Sequence, residues 1–345
     1  MYDKRIRVAI SIGDLNGIGP EIILKTFEDQ RMFDFCTPVV FANYRLLSYY
    51  RKTLRSKTQI HPAKSLEQLA EDKLNVIDVW DESVTVKLGQ QNKEIGGYAI
   101  KSLEAAIKSL KENQTDVLVT APIHKENVQS DEFNFPGHTD YLSQQFEGES
   151  LMFMVSEGLK VGLLTDHVPL ADVVNHLTPE LITQKVETIH QSLIQDYAIT
   201  RPKIAVLGIN PHVGDNGVIG SEDDVLLRPT LDKIRESGKL VFGPYPADSF
   251  FGSDTYKSFD AVLASYHDQG LIPFKTLSFG QGVNFTAGLS HIRTSPDHGT
   301  AFDIAGKGKA NHNSFRQAVY EAINLYRNRV LHLKLTSNPL KRQLK

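Results

Sequence analysis

The chain has almost none of the residues that staple a fold. Cys36 is the single cysteine in 345 residues, so no intrachain disulfide is available, and a reducing compartment is expected. No apolar run approaches the roughly 18 to 20 residues of a membrane span. The start, MYDKRIRVAISIGD, is charged, then briefly apolar, then glycine-rich. A signal peptide needs a longer apolar stretch and a small-residue cleavage site. Cytoplasm is therefore the expected compartment. Acidic residues (41) barely exceed basic ones (38), and a net charge of −3 gives no electrostatic case for nucleic acid or anionic membrane as a partner. Walker A, G-x-G-x-x-G and HExxH sequences are all missing. So are tandem repeats, low-complexity tracts and a Gly/Ser-rich linker.

What is present is ordinary globular material, with 41% hydrophobic and 23% charged residues. A chain of this length exceeds the usual size of one core, so two lobes are expected. Short apolar runs alternate with amphipathic ones. Strands are predicted at Arg7–Ile12, Pro38–Ala42, Leu74–Val79, Asp116–Thr120, Lys160–Thr165, Lys203–Leu207 and Ala261–Ser265. Helices are predicted at Pro20–Glu28, Ile95–Lys111, Pro179–Ile194, Asp223–Glu236 and Ser314–Arg329, the last with Ser314 as N-cap. This alternation predicts an α/β protein with a mostly parallel sheet.

The predicted strands end in polar clusters: GDLNG, APIHKEN, DHVPL, NPHVGDNG and YHDQG. Ligands in α/β sheets bind beyond the carboxyl ends of strands, so these clusters read as one rim. Three of them carry His167, His212 and His267, spaced 45 and 55 residues apart. Three neutral imidazoles suit a divalent metal with one position open. Asp166, Asp215 and Asp268 then stand ready to orient the rings. The chain has 12 histidines, however, and three unrelated loop residues would look the same.

An anion site has candidates too. PGHTDY (136–141) offers His138 and Thr139, or else a plain Pro-Gly turn with a helix N-cap at Thr139 or Asp140. Lys275, Asn284 and Arg293 follow the third histidine. Lysine supplies a point charge and arginine a planar fork for phosphate, though each alone also fits a solvated surface. The first loop, SIGDLNGIGPE, places Gly13, Gly17 and Gly19 between strand and helix. It suits close backbone approach to a ligand, or a tight structural turn. HGTAFDIAGKG (298–308) brackets a short apolar segment with glycines and suits a flat cofactor, or a loop with one helical turn.

Together these segments resemble the 4-hydroxythreonine-4-phosphate dehydrogenase family. GDLNGIGPEI, TAPIHKENV, FPGHTDYL, DHVPL, GINPHVGDNGVIGSED, GPYPADSFF, YHDQGLIPFK and GVNFTAGLSHIRTSPDHGTAFDIAGKG occur in family order, from about residue 5 to about residue 330. The resemblance implies an isocitrate/isopropylmalate dehydrogenase-like fold of two α/β lobes with the active site in the cleft between them. One lobe would comprise residues 1–130 and 283–345, on the cofactor side. The other would comprise 131–282, on the metal and dimer side. It implies oxidation of 4-phosphohydroxy-L-threonine and its decarboxylation, on the route to pyridoxal phosphate. It makes His167, His212 and His267 ligands of a divalent metal (zinc, magnesium, manganese or cobalt). His138, Thr139, Lys275, Asn284 and Arg293 become substrate-binding. Gly299, Thr300, Asp303 and Gly306 become contacts for NAD or NADP. Lys275, Asp248 and Asp268 become acid–base candidates, and the protein a homodimer whose metal site is completed by a partner histidine. A D-threonate or D-erythronate 4-phosphate dehydrogenase of the same fold is the near alternative, and a three-histidine metal hydrolase the distant one. The chain departs from the family in GDLNGIG, where many members have GDPAGIG. It also has Phe302 where isopropylmalate dehydrogenases usually have proline.

Overall fold

A computed structural model describes residues 5–130, 133–135 and 137–338. The described residues form twelve strands. In chain order these are β1 (Ile6–Ser11), β2 (Cys36–Ala42), β3 (Ile60–Ala63), β4 (Leu74–Asp78), β5 (Val117–Thr120) and β6 (Gly148–Val155). They continue with β7 (Lys160–Leu163), β8 (Lys203–Leu207), β9 (Leu240–Tyr245), β10 (Ala261–Ala264), β11 (Val283–Leu289) and β12 (Arg293–Pro296). The protein packs as two compact units. The first holds the chain up to Glu147 with Val283–Phe285 and Leu289–Ile323. The second holds Gly148–Gly282, Thr286–Gly288 and the chain from Asn324 on.

In the first unit the strand order is β3-β4-β2-β1-β5-β12-β11, parallel but for the antiparallel β11–β12 pair. β2 is buried along its whole length, which is why CTPVVFA reads as a continuous apolar run. Helix Lys93–Lys111 starts on Asn92, whose side chain accepts from the Glu94 N–H. Its apolar stripe, including Ala99, Leu103 and Leu110, packs on Ala9, Val39 and Leu118. Ser102 lies on that face and accepts from the Ile12 N–H at 2.9 Å while bonding the Phe41 carbonyl. The predicted lobe boundary at 130/131 falls inside this unit, because Phe133, Tyr141, Leu142 and Phe146 belong to the same apolar cluster.

In the second unit the order is β6-β7-β10-β8-β9, parallel but for β6–β7. Val161, Leu163, Ala205, Leu207, Val262 and Ala264 form its core. Helix Pro179–Gln195 is capped by Thr178 and buries Ile182, Val186, Ile189 and Leu193. The sequence predicts one helix at Asp223–Glu236. Instead a π-helical turn, Asp223–Leu227, precedes helix Arg228–Glu236. Pro229 donates no N–H to a regular ladder, and the buried Asp223 carboxylate is turned back onto an upstream loop. Among the described residues no helix is long and apolar enough to cross a membrane.

Candidate active site

The strand order explains where the three histidines lie. β7, β10 and β8 are neighbours and run parallel, so His167, His267 and His212 follow three adjacent carboxyl ends. His167 and His267 come together, with ring centroids 5.9 Å apart at 37°. They line a cavity of about 320 Å³ with Asp166, Tyr266 and Asp268. YHDQG is not a turn, as its polarity suggests. His267 is the first residue of helix His267–Ser278. Of the three expected acidic partners, Asp268 orients a ring, bonding His267 Nδ1 at 2.7 Å and leaving Nε2 for a ligand. Asp166 accepts from the His167 backbone N–H at 2.8 Å. The Asp215 N–H donates to the His212 carbonyl.

His212 sits on a strained loop. His212 and Val213 both take left-handed backbone, at φ 53° and 57°. Asp223, fully buried, holds the loop by accepting from the N–H groups of Ile209 and Asn210 at 2.7 and 2.9 Å. Sequence reading missed Asp223, because it is written as the start of a helix. Among the described residues no three His, Cys, Asp or Glu side chains are gathered closely enough to hold a metal ion. The donor chemistry of His167 and His267 fits part of a divalent site.

Asp248 and Asp268 line a second cavity of about 430 Å³ with Phe251, Tyr266 and Ile272. Lys275 is exposed on the same helix as His267, two turns on.

The anion candidates of the first unit converge more tightly. β12 pairs Arg293 with Leu118 of β5, and the pleat puts Thr120 on the same face. Arg293 is buried and donates to Thr120 Oγ1 from Nε at 3.0 Å and from Nη2 at 2.7 Å. Burial pushes its pKa down to about 9. β11 pairs Asn284 with Ser295, which shares the Arg293 face, and the Asn284 Oδ1 is buried without a partner. His138 Nε2 is likewise enclosed and unpartnered. Burial first, then Arg293, hold the His138 pKa well below the ordinary value, so the imidazole is neutral. His138 opens helix His138–Gln145 with Gly137 as N-cap, so neither Thr139 nor Asp140 caps it. Thr139, half-buried, follows within the first turn. Pro136 of the same motif lies outside the described residues.

The first glycine loop is a structural turn. A Cβ on Gly13 (φ 73°) would lie 2.4 Å from the Pro122 carbonyl oxygen, and one on Gly19 would lie 2.4 Å from that of Ile12. The Ile18 N–H donates to the Thr300 carbonyl at 3.0 Å. The loop thus supports the 298–308 segment instead of opening to a ligand. Asp14 is buried, with its pKa raised by burial against the opposing bond from Asn127 Nδ2 at 3.0 Å.

In 298–308, one 3-10 turn, Phe302–Ile304, stands between Gly299 and Gly306. Gly299 faces open space, whereas Gly306 (φ 72°) is packed on Leu88. Thr300 is buried and Asp303 exposed, with its carbonyl bonded by Lys307 Nζ at 2.7 Å. His298 Nε2 is buried without a partner. The open glycine and this orphaned polar atom fit a cofactor segment. Ser314, predicted as an N-cap, lies inside helix Asn313–Thr336, and its hydroxyl is paired with Asp297 at 3.0 Å.

Comparison with known proteins gives one consistent likeness. The pyridoxal phosphate biosynthetic protein PdxA family matches residues 34–322. The 4-hydroxythreonine-4-phosphate dehydrogenase of Bacteroides thetaiotaomicron is 43% identical over 345 residues, covering 99% of this chain and 95% of that protein. Its namesake from Sulfurihydrogenibium is 39% identical over 93% of this chain and 99% of that one. A crystal structure of the Klebsiella pneumoniae protein of that name superposes with a TM-score of 0.80 at 32% identity, covering 94% and 98% of the two chains.

Proposed function

This chain belongs to the pyridoxal phosphate biosynthetic protein PdxA family, and from that membership we propose that it is a 4-hydroxythreonine-4-phosphate dehydrogenase. It oxidises 4-phosphohydroxy-L-threonine at C3 with NAD or NADP. The resulting β-keto acid loses its carboxylate as CO₂, and protonation gives 3-amino-2-oxopropyl phosphate. The observation that carries the reading is the buried Arg293–Thr120 pair on one strand face with Asn284, and with the neutral His138 held beside the guanidinium. Such groups match a phosphate better than any uncharged ligand.

His138, Thr139, Asn284 and Arg293 bind the phosphorylated end. The imidazole and the amide present either a donor or an acceptor, by tautomer or by rotation. His167 and His267 bind a divalent metal, with His212 as the third ligand of the set, and one histidine of each set comes from a second copy of the chain. Asp268 keeps His267 in the Nδ1–H tautomer, so Nε2 carries the lone pair. A cation held by these histidines would supply Lewis-acid polarisation of the substrate hydroxyl, and a nicotinamide held by the 298–308 segment would supply the hydride acceptor. Lys275 handles the proton, with Asp248 and Asp268, which line one cavity together, as the further acid–base candidates. Gly299, Thr300, Asp303 and Gly306 bind the dinucleotide. The enzyme works as a cytoplasmic homodimer.

Absorbance at 340 nm, with 4-phosphohydroxy-L-threonine and NAD⁺ or NADP⁺, tests the reading. Reduction that EDTA abolishes is the expected result. Turnover of D-erythronate or D-threonate 4-phosphate alone would replace the substrate and keep the site. No reduction with any of them, in metal-replete protein, would overturn the dehydrogenase and favour hydrolytic chemistry.

A further inference from the structure

The segment APIHKEN ends β5 and has no part in the reaction described so far. His124 is its one imidazole, and its surroundings are specific. The Asn127 N–H donates to His124 Nδ1 at 3.4 Å. In the neutral ring the proton therefore sits on Nε2. Among the described residues nothing accepts from that N–H, and the residue is half-buried. The turn that holds the ring is locked. Val128 N–H donates to the His124 carbonyl at 3.2 Å, and Asn127 Nδ2 bonds the buried Asp14 carboxylate at 3.0 Å. Behind it, a Cβ on Gly96 would lie 1.9 Å from the Asn127 carbonyl oxygen, so only glycine admits this turn.

One face of the ring is taken by Phe302, with centroids 5.3 Å apart at 54°. Phe302 is the first residue of the short turn between Gly299 and Gly306, and it is itself only half-buried. Its backbone is pinned by Gly89, where a Cβ would lie 2.7 Å from the Phe302 oxygen. Two rings fixed by close backbone approaches, with a single N–H left to donate, make a rigid wall beside the segment assigned to the dinucleotide. That rigidity has a use only if the donor meets a fixed acceptor.

We propose that His124 is a dinucleotide-binding residue: its Nε2–H donates to an acceptor oxygen of bound NAD(H), with Phe302 bracing the ring. The inference rests on the assignment of 298–308 to the cofactor. With Nδ1 accepting from the Asn127 N–H, the ring's part is that of a donor to the cofactor.

The test is NADH binding to the full-length protein, followed by NADH fluorescence in the absence of substrate. His124→Phe keeps the ring packed on Phe302 and removes both nitrogens. His124→Gln returns an amide N–H near the place of Nε2. Loss of one hydrogen bond of this kind corresponds to about a tenfold rise in Kd for His124→Phe, with His124→Gln recovering most of it. The KM for the phosphorylated substrate should change by less than about twofold in both, since only the cofactor contact is lost. If the Phe variant does not fold, the Gln variant and Phe302→Leu still decide, because release of the brace must also weaken NADH binding. Wild-type NADH affinity in all three variants would overturn the role of His124 alone. Failure of the wild-type protein to bind NADH would overturn the cofactor assignment and this inference with it.

Discussion

Replacing Arg293 by methionine separates a binding group from a structural one. Arg293 is 2% exposed, and burial alone brings its pKa from 12.5 to about 9. A displacement of that size corresponds to about 5 kcal/mol of lost preference for the charged form. Against this, the substitution removes two bonds to Thr120 Oγ1 and strands that hydroxyl, at a cost of about 2 to 4 kcal/mol. The two effects nearly offset one another. Arg293→Met should therefore leave the thermal midpoint of the ligand-free protein unchanged, or raise it by about 2 °C. Its function should not survive. A charge-assisted contact to a buried phosphate is worth about 3 to 5 kcal/mol, so kcat/KM should fall roughly 1,000-fold. Millimolar inorganic phosphate, which should stabilise the wild-type protein in a thermal scan, should have no effect on the variant. The reasoning fails if Arg293→Met drops the ligand-free midpoint by more than about 5 °C yet keeps the phosphate-induced shift. That pair of results would make the guanidinium a structural partner of its own unit.

Three other expectations follow from the same geometry. Because the Arg293 pKa lies near 9, its charge is present below that pH and lost above it; kcat/KM should decline as pH rises through about 9, and a profile flat to about 10.5 would contradict the assignment. The His138 pKa is depressed below 6.5 by burial, so the stability its neutral ring contributes is present above about 6.5 and lost as pH falls toward the lower folded value. Denaturant unfolding of His138→Gln should accordingly lose less stability than wild type between about pH 6.5 and pH 5, and parallel losses would show that the ring titrates freely in the fold. Asp268→Ala frees the His267 ring to rotate and should weaken metal affinity by about 10- to 100-fold in a competition titration with a chelator. Unchanged affinity would remove His267 from the ligand set.

The architecture was legible where one strand or helix carries its own period. VLVT, IAVL and AVLA are buried runs bounded by polar residues, and β5, β8 and β10 lie within a residue or so of the predicted bounds. Helix His267–Ser278 was hidden because it contains Pro273 and begins on charged and polar residues, with no side-chain cap at Tyr266. β12 was hidden for a related reason, since RTSP is polar in sequence yet buried at every position. Its burial is decided by β5 and β11, which lie on either side of it in the sheet but far apart in the chain. The same holds for the site. Arg293 reads locally as one more surface arginine, and what distinguishes it is Thr120, 173 residues away. The first glycine loop was ambiguous because a sequence shows that a Cβ is missing, not what would occupy its place. At Gly13 and Gly17 the occupants are the Pro122 and Thr300 carbonyls, brought in from segments more than 100 residues downstream, and at Gly19 the nearby Ile12 carbonyl. Strand-end position makes a residue available for chemistry. Whether it performs any depends on contacts that only the folded chain supplies, as the pairing of the His167 and His267 rings illustrates.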